Sequence, residues 1–151
     1  MKKVLFALLL VFCLSSCGSD KKEEKAVRYP EKTSLKQTAP ELKESINRGE
    51  LVYNDLCITC HMANGKGAPK AFPPLAGSDY LKENQVASIK GIKNGMSGEI
   101  IVNGETYNSV MAPSGLSDEE IADVMNYINN SWGNNYGKMI TSQEVTKVIK
   151  K

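Results

Sequence analysis

Histidine is the scarcest functional residue in this chain: its 151 residues contain one, His61. A single imidazole excludes any metal or haem ligated by two histidines of the same chain, and it confines histidine-based catalysis to one position. Tryptophan is equally scarce, with Trp132 alone. No apolar run reaches the ~18 residues that a membrane-spanning helix requires. An excess of charge is lacking too: the formal net charge is +2 and the isoelectric point is near 8.3, too mild to suggest nucleic acid on charge alone. Hydrophobic residues at 41% and charged residues at 24% are ordinary for a soluble globular protein, and the length implies one domain.

The N-terminus has the layout of an export signal. Lys2 and Lys3 precede an unbroken apolar run from Val4 to Leu14, followed by Leu14-Ser15-Ser16-Cys17. A basic start, a short apolar core and small residues describe a secretory signal, not a spanning helix. The cysteine after small residues resembles a bacterial lipobox, in which the cut falls before the cysteine and the new N-terminus is lipidated. Residues 1–16 are therefore expected to be a signal peptide, and Cys17 a lipid anchor on a bacterial membrane, facing the periplasm. Residues 17–39 then form the lipidated end and a disordered Lys/Glu/Ser/Thr-rich tether. As a coil, its 22 residues after Cys17 span about 26 Å on average. Charge is uneven: net +2 over 18–39, −5 over 40–133 and +3 over 134–151. A net-acidic body between basic ends argues against a nucleic-acid partner, which needs cationic surface. The basic ends read first as solvated tails, with a contact to anionic lipid headgroups as the alternative.

Cysteine usage narrows the chemistry. Of four cysteines, Cys13 leaves with the signal and Cys17 carries lipid, so only Cys57 and Cys60 remain. They make one disulfide at most, not a framework. They stand in Cys57-Ile58-Thr59-Cys60-His61, the C-x-x-C-H pattern of covalent haem attachment. Two thiols three positions apart at a helix end meet the two haem vinyl groups as thioethers, and the next residue offers an imidazole nitrogen to the iron. A thioredoxin-like pair wants a βαβ setting. A structural zinc site wants four ligands, and a catalytic Cys–His pair wants the two groups facing each other. The remaining sequence supplies none of these.

The other segments read as follows. Leu42, Ile46, Gly49, Tyr53 and Leu56 recur at helical spacing from Pro40 into Cys57. Residues 62–77 are a loop punctuated by Gly and Pro. Val86 and Ile89 mark a short middle helix that ends at Gly95. Residues 99–107 read as a small hairpin turning at Asn103-Gly104. Ser117 and Glu120 form a capping box that opens a helix with Ile121, Val124, Met125 and Ile128 on one face. Thr141 and Glu144 open a second, shorter helix in a basic tail over 134–151.

The stretch from about Gly49 to Asn134 resembles a bacterial monohaem cytochrome c of class I. The resemblance rests on Gly49-x-x-x-Tyr53-x-x-x-Cys57, on Gly65-x-Gly67, and on Phe72-Pro-Pro-Leu-Ala-Gly77. It continues through Tyr107-Asn-Ser-Val-Met111-Ala-Pro113, the helix from Ser117 with Tyr127, and Trp132-Gly-Asn134. It implies an all-α fold over 40–133, with three to five short helices around one covalently bound haem c and a small β-hairpin insert. It also implies a one-electron carrier rather than an enzyme. Partners would be redox proteins of a respiratory chain, with the chain a monomer or a permanent subunit of a reductase or oxidase complex. A haem sensor or enzyme with an open iron site is the remaining alternative.

With His61 on one side of the iron, methionine is the natural second ligand, since Met/His ligation is the carrier pattern. Met62 adjoins His61, Met125 sits in a helical core stripe, and Met139 lies in the tail. Met96 and Met111 remain in loops, and the resemblance favours Met111. It further implies that the Pro73 carbonyl accepts a bond from His61 Nδ1, although the neighbouring Pro74 is not separated from it by sequence. Gly49 and Tyr127 are expected at a close crossing of the first and last family helices. Trp132 and Tyr107 are expected as core aromatics, with a bond to a haem propionate as the alternative. Lys66 and Lys70 read as a solvated surface pair, with a docking role at the haem edge as the alternative.

Overall fold

The computed structural model describes residues 39–151. The expected signal peptide at 1–16, the expected lipid site at Cys17 and all but the last residue of the expected tether at 17–39 lie outside the described residues.

The first helical pattern becomes α1 (Ala39–Val52), which passes through one π-helical turn (Tyr53–Cys57) into α2 (Ile58–His61). The backbone stays right-handed helical at both junctions, so these segments form one rod. Ser45, Gly49 and Tyr53 are buried along it. Leu56 departs from expectation: it is 54% exposed instead of sharing the face of Tyr53. The π turn explains this, since its extra residue rotates every side chain beyond it off the α-helical phase.

α1 lies across α5 (Asp118–Asn130), whose Ser117/Glu120 capping box and buried Ile121, Val124, Met125 and Ile128 follow the sequence pattern. The crossing is close. A Cβ on Gly49 would stand 2.0 Å from the Asp123 carbonyl oxygen and 2.9 Å from Tyr127 Cβ. The same crossing buries the Asp123 carboxylate. It accepts from Ser45 Oγ at 2.6 Å, Arg48 Nε at 2.6 Å and Arg48 Nη2 at 2.8 Å. A buried carboxylate is tolerated only when paired in this way, and the contact in turn raises the Arg48 pKa above its ordinary value. Arg48→Ala leaves the carboxylate with Ser45 alone. A loss of about 2–3 kcal/mol in urea unfolding is expected. Arg48→Lys recovers only part of it, because an ammonium lacks the bidentate fork.

Two short helices follow the loop. α3 (Asp79–Glu83) has no counterpart in the sequence reading, and α4 (Gln85–Asn94) is the expected middle helix. Ser78 caps α3 by accepting from the Leu81 N–H at 3.1 Å. Ile89 is buried, whereas Val86 is 55% exposed and marks the outer face of α4. Gly95 ends α4 at φ +81°. The hairpin pairs β1 (Ile100–Val102) with β2 (Glu105–Tyr107), Ile101 opposite Thr106. Asn103 and Gly104 turn it at φ +52° and +80°, the double positive φ of a type I′ turn. Asp79 and Asn103 exchange side-chain-to-backbone bonds of 3.0 and 2.7 Å, tying the hairpin to α3.

The C-terminal segment is not a solvated tail. α6 (Ser142–Ile149) packs on α5, with Val145 fully buried. Asn126 clasps the Ile140 backbone through both amide atoms, at 2.8 and 2.7 Å. Thr146 Oγ1 donates to Asp118 at 2.6 Å. Composition concealed this, because Lys138, Lys147, Lys150 and Lys151 surround the short apolar set Ile140, Val145, Val148 and Ile149 that packs inward.

Several carboxylates at these helix starts titrate low. Asp118 is held down by the Thr146 hydroxyl and then by Lys93, and Glu120 by the Ser117 hydroxyl and N–H. In Glu144 burial pushes upward, but the bonds from Lys138 and Thr141 outweigh it. Depressed folded values mean that these groups stabilise the fold above the unfolded carboxylate range of about 4, and that this contribution is lost as pH falls through the folded values. α6 should therefore undock in acid before the rest unfolds. A pH titration of amide exchange in 142–149 checks this, and Asp118→Asn with Glu144→Gln should flatten the profile.

Candidate haem-binding site

A cavity of about 520 Å³ opens beside the rod and is walled mainly by apolar side chains. The π turn and α2 contribute Tyr53, Cys57, Cys60 and His61. Phe72–Leu75 form the next wall, α4 gives Ser88 and Ile92, and the hairpin gives Ile100, Val102 and Tyr107. Segment 109–114 closes another side, and Val124 and Ile128 of α5 lie at the base.

Cys57 and Cys60 are not joined in a disulfide. Burial, with the neighbouring Cys60, pushes the Cys57 thiol up to about 11. A redox-active C-x-x-C needs the reverse, a stabilised thiolate. His61 ends α2, and Met62, at φ +64°, turns the chain away. Tyr53 fixes that turn by donating its hydroxyl to the Met62 carbonyl at 2.7 Å.

The Nδ1 of His61 stands 3.0 Å from the carbonyl oxygen of Pro73, not Pro74. A carbonyl only accepts, so Nδ1 carries the proton and Nε2 is left as the ligating atom. Burial lowers the His61 pKa and the Pro73 bond partly opposes this, which favours the neutral imidazole that metals require. The loop reaches His61 because Gly67, at φ +60°, has no side chain; a Cβ there would stand 2.3 Å from the Phe72 oxygen and 2.6 Å from that of Pro73. Asn134 holds the far end of the same loop. Its amide donates to the Leu75 and Ile128 carbonyls at 2.9 and 2.7 Å and accepts from the Gly77 N–H at 2.8 Å.

The remaining candidates fall on both sides of the expectations. Trp132 donates its only N–H to the Ala63 carbonyl at 3.0 Å and packs against Tyr53 and Tyr127. It is half-buried against the core, does not line the cavity, and has no side-chain donor left for a propionate. Tyr107 is buried and lines the cavity, whereas Lys66 and Lys70 are exposed and do not. Met125 is core and Met62 is exposed. Met96 and Met111 both line the cavity. Sequence reasoning missed Tyr53 as a positioning group, Asn134 as a loop clasp, and Ser109, whose hydroxyl donates to the Ala71 carbonyl and joins the two loops. Polar contacts to backbone leave no periodic signal, so only the structure reveals them.

An apolar chamber with two free thiols and one oriented imidazole suits a flat, hydrophobic macrocycle bearing two reactive side groups and an open metal coordination position. The sequence profile of the cytochrome c family matches residues 46–132, more than half of the chain. The chain belongs to the cytochrome c family. It is 41% identical over 101 residues to cytochrome c-552 of Thermus thermophilus, covering 61% of this chain and 77% of that protein. It is also 33% identical over 106 residues to the cytochrome c subunit of the quinone alcohol dehydrogenase of Gluconobacter oxydans. That match covers 68% of this chain but 22% of the much longer subunit. The gluconate 2-dehydrogenase cytochrome c subunit of Pantoea cypripedii is 29% identical over 108 residues, 68% of this chain and 24% of that protein.

The all-α expectation with a hairpin insert agrees with the five helical rods and the one two-stranded sheet among the described residues. As a cytochrome c, the protein binds one haem c covalently through Cys57 and Cys60 and is an electron carrier rather than an enzyme.

Proposed function

We propose that this cytochrome c is a membrane-anchored one-electron carrier. Lipid on Cys17 tethers it at the periplasmic face of a bacterial membrane, His61 and Met111 would hold the haem iron, and its partners are redox proteins of a respiratory chain. The observation that carries the reading is the convergence of Cys57, Cys60, His61 and Met111 on one apolar cavity, in a chain with no second imidazole. When bound, the haem supplies a one-electron Fe(III)/Fe(II) couple. Around it, the Pro73 carbonyl holds the His61 ring in one orientation and strengthens its basicity. The Met111 thioether, a soft neutral donor, favours the reduced state and raises the potential. The apolar walls keep water out, which limits reorganisation on electron transfer. No helix among the described residues is long and apolar enough to cross a membrane, and the attachment proposed rests on the lipobox-like Leu14-Ser15-Ser16-Cys17. The tether then confines the domain near its partners and raises their effective concentration.

The relatives that are cytochrome c subunits of dehydrogenases favour a second reading, permanent membership of such a complex. Fractionation of native membranes separates the two. The full chain should stay with membranes and Cys17→Ala should appear in the soluble fraction. After mild detergent the carrier should purify alone. Co-elution with a dehydrogenase at fixed stoichiometry supports the subunit reading instead, and a soluble wild type removes the anchor.

A further inference from the structure

Met96 is a second thioether in the cavity, and ligation by Met111 leaves it without a role. We propose that Met96 is a positioning residue that seats the Met111 segment on the C-terminal end of α4; this rests on the reading of Met111 as the ligand.

Met96 and Met111 exchange both backbone hydrogen bonds, at 2.8 and 2.9 Å. An antiparallel pair of this kind brings the two Cα atoms to about 5.5 Å and sends both side chains to the same side. Both side chains accordingly line the cavity, but their settings differ. The Sδ and Cγ of Met96 lie 2.4 and 2.5 Å from where a Cβ on Gly91 would be. Gly91 is buried on α4, so the missing side chain leaves a notch that the Met96 thioether fills. An unbranched, polarisable side chain suits such an irregular gap.

One turn later the backbone itself is seated. A Cβ on Gly95 would stand 2.6 Å from the Met111 carbonyl oxygen and 3.0 Å from Pro113 Cδ. Beyond Pro113, Ser114 N–H donates to the Ile92 carbonyl at 3.1 Å and Lys93 Nζ to the Leu116 carbonyl at 3.0 Å. The segment is thus fixed to α4 by backbone on one side of Met111 and by a side chain in a notch on the other. A ligand must hold its place to within about 0.5 Å to stay bound. Met96 supplies that precision through the bridge it shares with Met111.

Four variants of the holoprotein test this: Met96→Ala, Met96→Leu, Gly91→Ala and Met111→Ala. The readouts are sulfur ligation in the visible spectrum, the rate of carbon monoxide association after reduction, and hydrogen exchange at the Met111 amide. Met96→Ala should keep sulfur ligation while carbon monoxide association rises about tenfold or more and the Met111 amide exchanges faster. Gly91→Ala, which evicts Met96 from its notch, should behave likewise, and Met96→Leu should restore wild-type rates. Wild-type rates and exchange in Met96→Ala overturn the proposal even if Gly91→Ala fails to fold. If Met111→Ala retains sulfur ligation and Met96→Ala loses it, the reading of Met111 falls and Met96 is itself the ligand.

Discussion

Replacing Met111 with alanine should convert a protein that takes up carbon monoxide only slowly into one that binds it rapidly and stoichiometrically on reduction. On the proposed ligation His61 would hold the iron from one side, through a ring that the Pro73 carbonyl already orients. Of the methionines among the described residues, Met62 is exposed and Met125 is buried in the core. Met111 and Met96 are the two methionines that line the cavity, and Met96 is committed to the Gly91 notch. Truncating Met111 leaves one iron position open, and no other imidazole in the chain is there to take it. The reduction potential should fall as well, because a thioether stabilises the ferrous state. Spectra of the oxidised, reduced and carbon-monoxide-treated variant check the first expectation, and a potentiometric titration beside the wild type checks the second. An unchanged low-spin spectrum in Met111→Ala would place the ligand elsewhere.

Gly49→Val should have the largest effect on folding. The Cβ would stand 2.0 Å from a carbonyl oxygen of α5, a backbone atom that no rotamer change moves aside. α1 and α5 would have to separate, and that opens the contact around Tyr53, which is fully buried, and unseats the Asp123 network. Overpacking a tight core costs about 1–3 kcal/mol, occasionally more, and here β-branching adds to it. The expected loss is about 3 kcal/mol or more, a large share of the ~5–15 kcal/mol that small domains possess. Urea unfolding followed at the haem absorption band measures it. A midpoint within about 0.5 kcal/mol of wild type, the ordinary scatter of surface substitutions, would mean that the helices do not cross through Gly49.

Much of this was legible in the sequence because the relevant signals are local. The haem motif is five consecutive residues. The hairpin turn is a dipeptide, and both capping boxes are four-residue patterns that form as expected. Pro73 and its neighbour were separable only once the loop geometry set by Gly67 was visible. Leu56 was misplaced because a π turn leaves no mark in hydrophobic spacing. α3 was missed because five residues hold little more than one turn, too few for a period to show. The docking of α6 was hidden by its lysines, and the divergent settings of Met96 and Met111 depend on a glycine that sequence reading had no reason to single out.

The most direct test of the account is X-ray absorption at the iron edge of the oxidised and reduced wild-type protein, with Met111→Ala beside it. Nitrogen neighbours from the macrocycle and His61 plus a single sulfur are expected in both oxidation states, with the sulfur absent from the variant. A wild-type shell without sulfur, or a sulfur that survives Met111→Ala, would contradict it.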